Sequence, residues 1–552
     1  MTILIRAEFK NNAWHITRVA QSRREGHDDA RIQRASELGR AWLTAEYART
    51  ARDADPWQLE YLKSCFGDGE TAIGLGELLA DSCVKRRDLV HDVRARSREV
   101  SLRAVAIALR ERGEPVASDR IGRSVHRISA AVAAAVAVVT WAATLIRTVH
   151  NASTIPPDAE VILAVHGEWS NRTRHVLPLA GGLGNPVPVL VLGRPRRSLA
   201  ALGRLLADAL HDAPPQMVRP YSLSSALLSA MNAARLVARA MRQLSGAGYV
   251  PPFRDQAAML YRLIMGAANA RWWRGQSARP GTVIYGHTGL ADTTSLEQAQ
   301  QATGSSTIHV IHGLSTGPNF AGYSSHALMR CAFDAEYYRE LGGYGACHAP
   351  ALDQPPCRRG RVGLLLLTNL AHPMNPGYQR AGVRDELRLL TEVRRAADEL
   401  PAARAALAWK PHPVFFSLPA DQRRALLEAA RNSGFTVYDQ AWPLDRAREF
   451  EVVLCTASTV AIDMLRLGVL PIVFDVQPVP PDSAIARLPL RAENRAVLVQ
   501  LIDELAGDRS AYERYFRLAW QDVGPARAYD MQLILEVAAH DNGVARAPAP
   551  GR

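Results

Sequence analysis

The chain has 552 residues, a hydrophobic fraction of 48%, a charged fraction of 22% and a formal net charge of +12. These values are those of an ordinary soluble globular protein with two or three domains. The positive charge favours acidic partners such as nucleotides or anionic lipid. A nucleic-acid partner is not expected, because the arginines lie singly or in pairs and no nucleic-acid-binding module accompanies them.

The six cysteines form no CxxC pair and have no regular spacing. This favours reduced thiols in a cytoplasmic protein over a disulfide framework or a zinc site. The N-terminal stretch "MTILIRAEFKNNAWHITRV" carries charges and amides throughout, so no secretory peptide is expected.

An uncharged segment of 19 residues, "ISAAVAAAVAVVTWAATLI" (128–146), lies in the N-terminal part of the chain. Its length just reaches that of a bilayer span, but alanine drives insertion weakly. A helix buried against the rest of the N-terminal region is one interpretation. The alternative is an interfacial or embedded helix that holds a cytoplasmic protein on the inner membrane face.

In chain order, residues 1–155 are predicted to form a mainly helical extension that opens with a hairpin. Residues 156–350 contain four short apolar runs separated by helical stretches, which predicts a first Rossmann-like lobe. These runs are "EVILAVH" (160–166), "VPVLVLG" (187–193), "GTVIYGH" (281–287) and "STIHVIHG" (306–313).

The proline-containing stretch "CHAPALDQPPCRRGR" is predicted to link this lobe to a second one at residues 351–540. Here too strands alternate with helices, and the strands are predicted at "VGLLLLTNL" (362–370), "ALAWKPHP" (406–413), "FTVYD" (435–439), "EVVLCT" (451–456) and "LPIVFD" (470–475). The predicted fold class is therefore α/β, with two doubly wound parallel sheets facing a cleft. Residues 541–552 are predicted to be a disordered tail.

Ligands of open parallel sheets bind beyond the carboxyl ends of the strands. Three such ends in the second lobe carry polar side chains that suit a phosphate, namely Thr368 and Asn369, then Lys410 and His412, then Thr456, Ser458 and Thr459. Only four of the 66 basic residues are lysines, and Lys410 is the only one after residue 85. A compact ammonium suits close approach to a phosphate.

Each motif also has a structural interpretation. A Ser-Thr pair before a helix is most often an N-cap, a histidine beside proline is often a turn residue, and one lysine can be chance. The combination at successive strand ends is what favours a binding site.

"KPHP", followed by "CTASTVAIDMLRLGVLPIVFD", resembles the HP and Ser/Thr motifs of bacterial GT-B glycosyltransferases that use CMP-activated sugars, such as sialyl-, polysialyl- and Kdo-transferases. "STIHVIHGLSTGPNFAGYSSHALMRCAFDAEYYRELG" is similar to a segment that these surface-polysaccharide enzymes carry before the linker. The resemblance covers roughly residues 160–530. It implies that His412 and Pro413 contact the donor phosphate, and that Ser458 and Thr459, with Thr456 nearby, hold the phosphate or nucleotide. Many relatives have a ribose-binding glutamate in the next helix, whereas here the nearest acid is Asp463.

Inverting members of this family also use an acidic residue of the first lobe as general base, within a motif that is missing from this lobe. Candidates by position are His166 and Glu168 after the first strand, and His287 and Asp292 after "VIYGH". Each acid can equally be a solvated loop residue. A base must face the reacting hydroxyl, so these candidates depend on where their loops point.

His312 and Gly313 end another strand and are expected in the same cleft, although a core histidine is the alternative. His309 and His312 fall on opposite faces of that strand and are not expected to share a zinc ion.

The resemblance implies a metal-independent glycosyltransferase, with a nucleotide-sugar as donor, a surface glycan or glycolipid as acceptor, and no cofactor. The alternatives are a CDP-polyol phosphotransferase, a UDP- or GDP-sugar enzyme, and a non-catalytic nucleotide- or glycan-binding scaffold.

Overall fold

The structure is a computed structural model of the whole chain. It describes all residues except 1, 21–28, 51–55, 66–67, 97–100, 118–119, 149–153, 167–172, 174, 184–185, 193–198, 211–213, 221–231, 233, 243–248, 250, 252, 314–321, 370–382, 401–405, 413–414, 417, 440–441, 475–478, 480–482 and 544–552. The predicted site residues Glu168 and Pro413 are therefore outside the described residues.

The N-terminal region combines a small antiparallel sheet with five helices. The predicted opening hairpin is present, and a third strand, which the sequence did not indicate, joins it in the order β2-β1-β3. The elements are β1 (Thr2–Lys10), β2 (Ala13–Ala20), α1 (Asp29–Thr50), α2 (Pro56–Ser64), α3 (Asp68–Lys85), β3 (His91–Arg96), α4 (Leu102–Glu111) and α5 (Arg120–Thr148).

The second region is built on a parallel sheet of seven described strands. Its strands lie in the order β10-β9-β8-β7-β4-β5-β6. Strands β4 to β6 are added towards one edge and β7 to β10 towards the other, so the strand order reverses between the parallel neighbours β4 and β7. The elements are β4 (Val161–His166), β5 (Val187–Leu192), α6 (Leu199–Leu210), β6 (Pro215–Val218), α7 (Phe253–Arg274), β7 (Thr282–Tyr285), α8 (Ala291–Gln301), β8 (Ser306–Val310), β9 (His326–Leu328), α9 (Ala332–Leu341) and β10 (Ala346–His348).

The third region is built on a parallel sheet of six described strands. Its strands lie in the order β13-β12-β11-β14-β15-β16, so the strand order reverses between the parallel neighbours β11 and β14. The elements are β11 (Val362–Leu367), α10 (Val383–Asp398), β12 (Leu407–Lys410), α11 (Ala420–Asn432), β13 (Phe435–Val437), β14 (Phe450–Cys455), α12 (Val460–Arg466), β15 (Pro471–Phe474), β16 (Arg491–Ala492), α13 (Arg495–Gly507), α14 (Arg509–Val523) and α15 (Met531–Gly543).

The burial patterns of strands and helices are those expected of parallel sheets covered by helices. Every residue of β5 is buried, as expected for a strand covered by helices on both faces. Helix α10 instead buries one face, which includes Leu389, Leu390, Val393 and Ala397, at the spacing of an α-helix. Numbered along each lobe, the strand order is 3-2-1-4-5-6, with a seventh strand added to the first sheet. The predicted fold class, two doubly wound Rossmann-like sheets preceded by a mainly helical extension, is confirmed.

The last helix returns to the first sheet. Met531, Ile534 and Val537 of α15 lie in the same apolar core as Leu163 and Val189 of that sheet. Residues 541–543, which the sequence placed in a tail, belong to this helix. The positions of the domain boundaries otherwise stay a prediction.

Helix α5 contains the apolar segment 128–146. It packs Ala133 and Ala137 against α7 residues that include Leu260 and Leu263. The described helices, α5 among them, are too short or too polar to cross a membrane.

Candidate functional site

The three polar strand ends of the second sheet lie side by side. Strands β12, β11 and β14 are neighbours in that order, and hydrogen bonds continue past their ends. The Thr368 N–H donates to the Lys410 carbonyl at 3.3 Å, and the Thr456 N–H donates to the Leu367 carbonyl at 3.1 Å. Neighbouring strands are about 4.7–4.9 Å apart. The structure therefore brings these predicted residues together at the reversal of strand order, where doubly wound sheets bind ligands.

Some of these residues form the frame of the site. The Thr456 hydroxyl donates to the Asn369 side-chain carbonyl at 2.7 Å and accepts from the Asn369 N–H at 3.1 Å. The Thr368 hydroxyl donates to the buried Glu386 carboxylate and accepts from the Trp409 indole N–H at 3.0 Å. These contacts tie the strand ends to one another. The sequence did not point to Glu386 or Trp409, because their roles depend on packing across strands.

Lys410 is the cation at this edge. Its Nζ donates to the Pro411 carbonyl at 3.2 Å and lies 5.8 Å from the centre of the Phe416 ring. Burial lowers the pKa of the Lys410 ammonium, and nearby Asp439 partly offsets this effect. His412 is half-buried, and its carbonyl accepts the Phe415 N–H at 2.8 Å.

Ser458 and Thr459 precede α12, which begins at Val460 rather than at residue 458. The N-cap residue is Thr459, and its side chain makes no capping hydrogen bond. The Ser458 hydroxyl accepts the Val460 N–H at 3.3 Å. The N-cap interpretation therefore does not account for the Thr459 hydroxyl.

Asp463, which stands where many relatives of the resembled family have a ribose-binding glutamate, contacts two arginines. It forms an ion pair with Arg330, which follows β9 of the first sheet, and a second one with Arg466 at 3.3 Å. Its carboxylate thus lies at a contact between the two sheets' domains.

In the first sheet, two histidines flank the reversal of strand order. His166 ends β4 and His287 follows β7, and these strands are neighbours. The two ring centroids are 5.3 Å apart. This is the position at which an open parallel sheet presents groups to a ligand.

Asp292 lies in the first turn of α8, not in a loop, and only 3% of it is exposed. Burial raises the pKa of its carboxyl group, while Arg262 lowers it. The start of α8 is also covered by the extension, because Glu60 accepts the Ala291 N–H at 2.8 Å and pairs with Arg262. A general base must reach a hydroxyl, and only His166 of these three residues is partly exposed, since His287 is 6% exposed and nearly as buried as Asp292; exposure therefore favours His166.

A second buried acid, Glu297, contacts Thr288, the residue that follows His287. Glu297 accepts hydrogen bonds from the hydroxyls of Thr288 and Ser324. Burial raises the pKa of Glu297 to about 7, against the opposing effect of these two hydrogen bonds and, less strongly, of Lys63. Nothing in the sequence distinguishes Glu297 from other acids on a helix surface.

His312 contacts His175, a residue that the sequence did not single out, with ring centroids 4.8 Å apart. Gly313 follows His312 at the end of β8. His309 points elsewhere and its Nδ1 lies 2.6 Å from the Tyr344 hydroxyl. Among the described residues, no group of three or more His, Cys, Asp or Glu could hold a metal ion.

No protein-family model matches this chain, and no curated protein matches its sequence. Among solved structures, UDP-GlcNAc 2-epimerase from Neisseria meningitidis is similar at 10% identity and a TM-score of 0.40, over 69% of this chain and 100% of that one. MurG of Acinetobacter baumannii is similar at 12% identity and a TM-score of 0.38, over 69% of this chain and 99% of that one. A UDP-glucosyltransferase from Polygonum tinctorium is similar at 12% identity and a TM-score of 0.35, over 70% of this chain and 99% of that one.

Proposed function

We propose that this chain is a GT-B glycosyltransferase that takes a sugar from a CMP-activated donor and transfers it to a surface glycan or glycolipid. The observation that carries the proposal is the side-by-side placement of Lys410, Thr368 and Thr456 at the strand reversal of the second sheet. The groups that follow these strand ends, namely the Lys410 ammonium, the His412 imidazole and the Ser458 and Thr459 hydroxyls, suit a phosphate, while Thr368 and Thr456 hold the strand ends together.

The proposed chemistry divides between the two sheets. The acceptor oxygen attacks the sugar carbon, and the bond from that carbon to the phosphate oxygen breaks, leaving its electron pair on the nucleotide. Lys410, His412, Ser458 and Thr459 stabilise the charge that grows on the phosphate. An imidazole of the His166–His287 pair takes the proton of the acceptor hydroxyl. No cofactor or metal is part of this proposal.

The donor nucleotide is tested by thermal unfolding in the presence of CMP, CDP, UDP and GDP. A ligand that binds the native state raises the melting temperature according to its affinity, so the best nucleotide identifies the donor class. We expect CMP to give the largest increase. A large increase with UDP or GDP and none with CMP would replace the CMP assignment by that nucleotide. A larger increase with CDP than with CMP would favour a polyol-phosphate transferase, whose CDP-polyol donor carries a diphosphate and leaves CMP as the product.

Binding without transfer would support a scaffold instead of an enzyme. The test is incubation with CMP-sugars and a glycan acceptor, followed by measurement of released CMP. Nucleotide binding that His412→Ala weakens, together with no CMP release by the wild type from several CMP-sugars, would favour the scaffold.

The acceptor is proposed to be presented at a membrane surface. Four valines of α5 have side chains that are 41–67% exposed, namely Val132, Val136, Val138 and Val139. Val132, Val136 and Val139 fall on one face of the helix, and this apolar face, on a chain with a net charge of +12, suits an anionic lipid surface.

Sedimentation with vesicles of phosphatidylglycerol and phosphatidylethanolamine tests this docking. We expect Val136→Glu with Val139→Glu to reduce the bound fraction several-fold. Val84→Glu, at a 41% exposed valine of α3, is the matched control. Equal loss in both variants, or no binding by the wild type, would contradict membrane docking.

A further inference from the structure

Arg330 makes a contact that joins the two sheets' domains. It lies two residues after β9 and forms an ion pair with Asp463 of α12. The two side chains are 18% and 26% exposed, so the pair is largely withdrawn from water. Such a pair is screened less by salt than a surface pair. Without Arg330, Asp463 keeps Arg466 of its own helix as a partner but loses its contact with the first sheet's domain.

The backbone around Arg330 is held by the other domain as well. The Arg330 carbonyl accepts the Ala526 N–H at 2.9 Å and an Arg466 Nη2 hydrogen bond at 3.0 Å. One residue beyond Cys331, the Ala332 N–H donates to the Gly524 carbonyl at 2.7 Å. The first-sheet segment 330–332 is therefore fixed at several points to the chain that follows α14.

Asp463 is close in sequence and structure to the proposed phosphate site. It is the fourth residue of α12, and Ser458 and Thr459 immediately precede this helix. One turn of helix rises about 5.4 Å, so the carboxylate lies about one turn from the two hydroxyls. A contact made by Asp463 therefore helps to fix the helix that directly follows these two residues.

We infer that Arg330 is a positioning residue, which holds the first-sheet imidazoles in register with the donor phosphate by pairing with Asp463. This inference rests on the proposed function for its chemical consequence. It also gives Asp463 a role other than ribose binding. Arg330 itself touches no reacting atom in this account.

The experiment compares Arg330→Met, Arg330→Lys, Asp463→Asn and the double variant Arg330→Met with Asp463→Asn. We expect Arg330→Met to lower kcat about ten-fold, because the domains lose their fixed register, while KM for the donor changes less than two-fold. Arg330→Lys keeps the charge and is expected to recover most of kcat. The double variant is expected to be no slower than the slower single variant, since both changes break the same pair.

A matched ion pair within the third region provides the control. Arg359 and Glu451 are each 18% exposed, a burial close to that of the Arg330–Asp463 pair. We expect Arg359→Met to lower stability without lowering kcat more than two-fold. An equal loss of kcat in Arg359→Met, or additive losses in the double variant, would overturn the inference.

Solution X-ray scattering provides a readout that does not need activity. Arg330→Met and Asp463→Asn are expected to increase the radius of gyration, or broaden the distance distribution, whereas Arg359→Met is not. If the wild type transfers no sugar and yet these scattering differences appear, the proposed function fails and the positioning contact stands. Unchanged scattering in every variant would overturn the positioning role whether or not the enzyme is active.

Discussion

The carboxyl edges of the two parallel sheets have the same topology and different chemistry. At the first sheet two imidazoles, His166 and His287, lie at the reversal of strand order, and the buried acid Glu297 contacts Thr288 next to His287. At the second sheet it presents hydroxyls, an amide and the Lys410 ammonium. The first set can accept a proton and the second can stabilise an anion. In the proposed reaction the same strand order therefore serves for both proton acceptance and anion stabilisation, and the side chains after each strand determine which of the two each sheet provides.

The largest effect is expected at the first edge. Replacing the imidazole that acts as base, by His166→Ala or by His287→Ala, should lower turnover by about 100- to 10,000-fold, the usual contribution of a general base, while leaving CMP affinity unchanged. Initial rates and calorimetric titration of CMP measure the two quantities. His166→Ala and Asp292→Asn identify the base, because a loss of this size is expected only in the residue that takes the proton. A loss in Asp292→Asn alone would assign the base to that carboxylate.

At the second edge, Lys410→Met should lower both turnover and CMP affinity, because the ammonium is proposed to contact the phosphate before and during transfer. Removing one such donor costs about 3–4 kcal/mol, or roughly 100- to 1000-fold in turnover. Lys85→Met is the control, since Lys85 is exposed and pairs with Asp81 at 2.8 Å in the extension. A loss of turnover with CMP affinity intact would remove the distinction between the two edges.

The raised pKa of Glu297, at the first sheet, predicts that the stability of the protein depends on pH. Its folded pKa of about 7 lies above the ordinary value of 4.5, so the folded state holds a proton that the unfolded state releases. The resulting stability is fully present below about pH 4.5 and is lost as pH rises through about 7, by about 3 kcal/mol in total. Urea unfolding from pH 4 to 8 should show this fall in the wild type and a flatter profile in Glu297→Gln. Parallel profiles would contradict a buried, titrating Glu297.

The smallest effect is expected where the two regions meet. Gly524 has a φ of +59°, and a Cβ there would lie 2.7 Å from the Ala332 Cβ. Gly524→Ala should therefore lower the free energy of unfolding by roughly 1–3 kcal/mol. Gly507→Ala is the matched control, since a Cβ at Gly507 meets no atom within 4 Å. Equal unfolding midpoints for the two variants would show that the contact at Ala332 is not tight.

The sequence predicted the fold class because alternating apolar runs and helical stretches are local patterns. It also predicted the strand ends that carry Thr368, Lys410 and Thr456, since their positions follow from the strands alone. It did not indicate the roles of Glu386 and Arg330, which depend on partners 18 and 133 residues away. The return of α15 to the first sheet was missed for the same reason: an amphipathic helix does not specify its partner surface.

Asp292 shows the limit of reasoning from position. It follows a strand end, as a base in this fold is expected to, but it lies within α8 and is almost fully buried. Whether the residue after a strand belongs to a loop or to the next helix decides which way its side chain points, and the sequence alone left this open.

The most direct test is a crystal structure of the protein with CMP bound. The account predicts the phosphate at the second sheet, with its oxygens about 2.7–3.2 Å from Lys410 Nζ or from the Ser458 or Thr459 hydroxyl. CMP bound at the first sheet, or with its phosphate away from all three side chains, would contradict it.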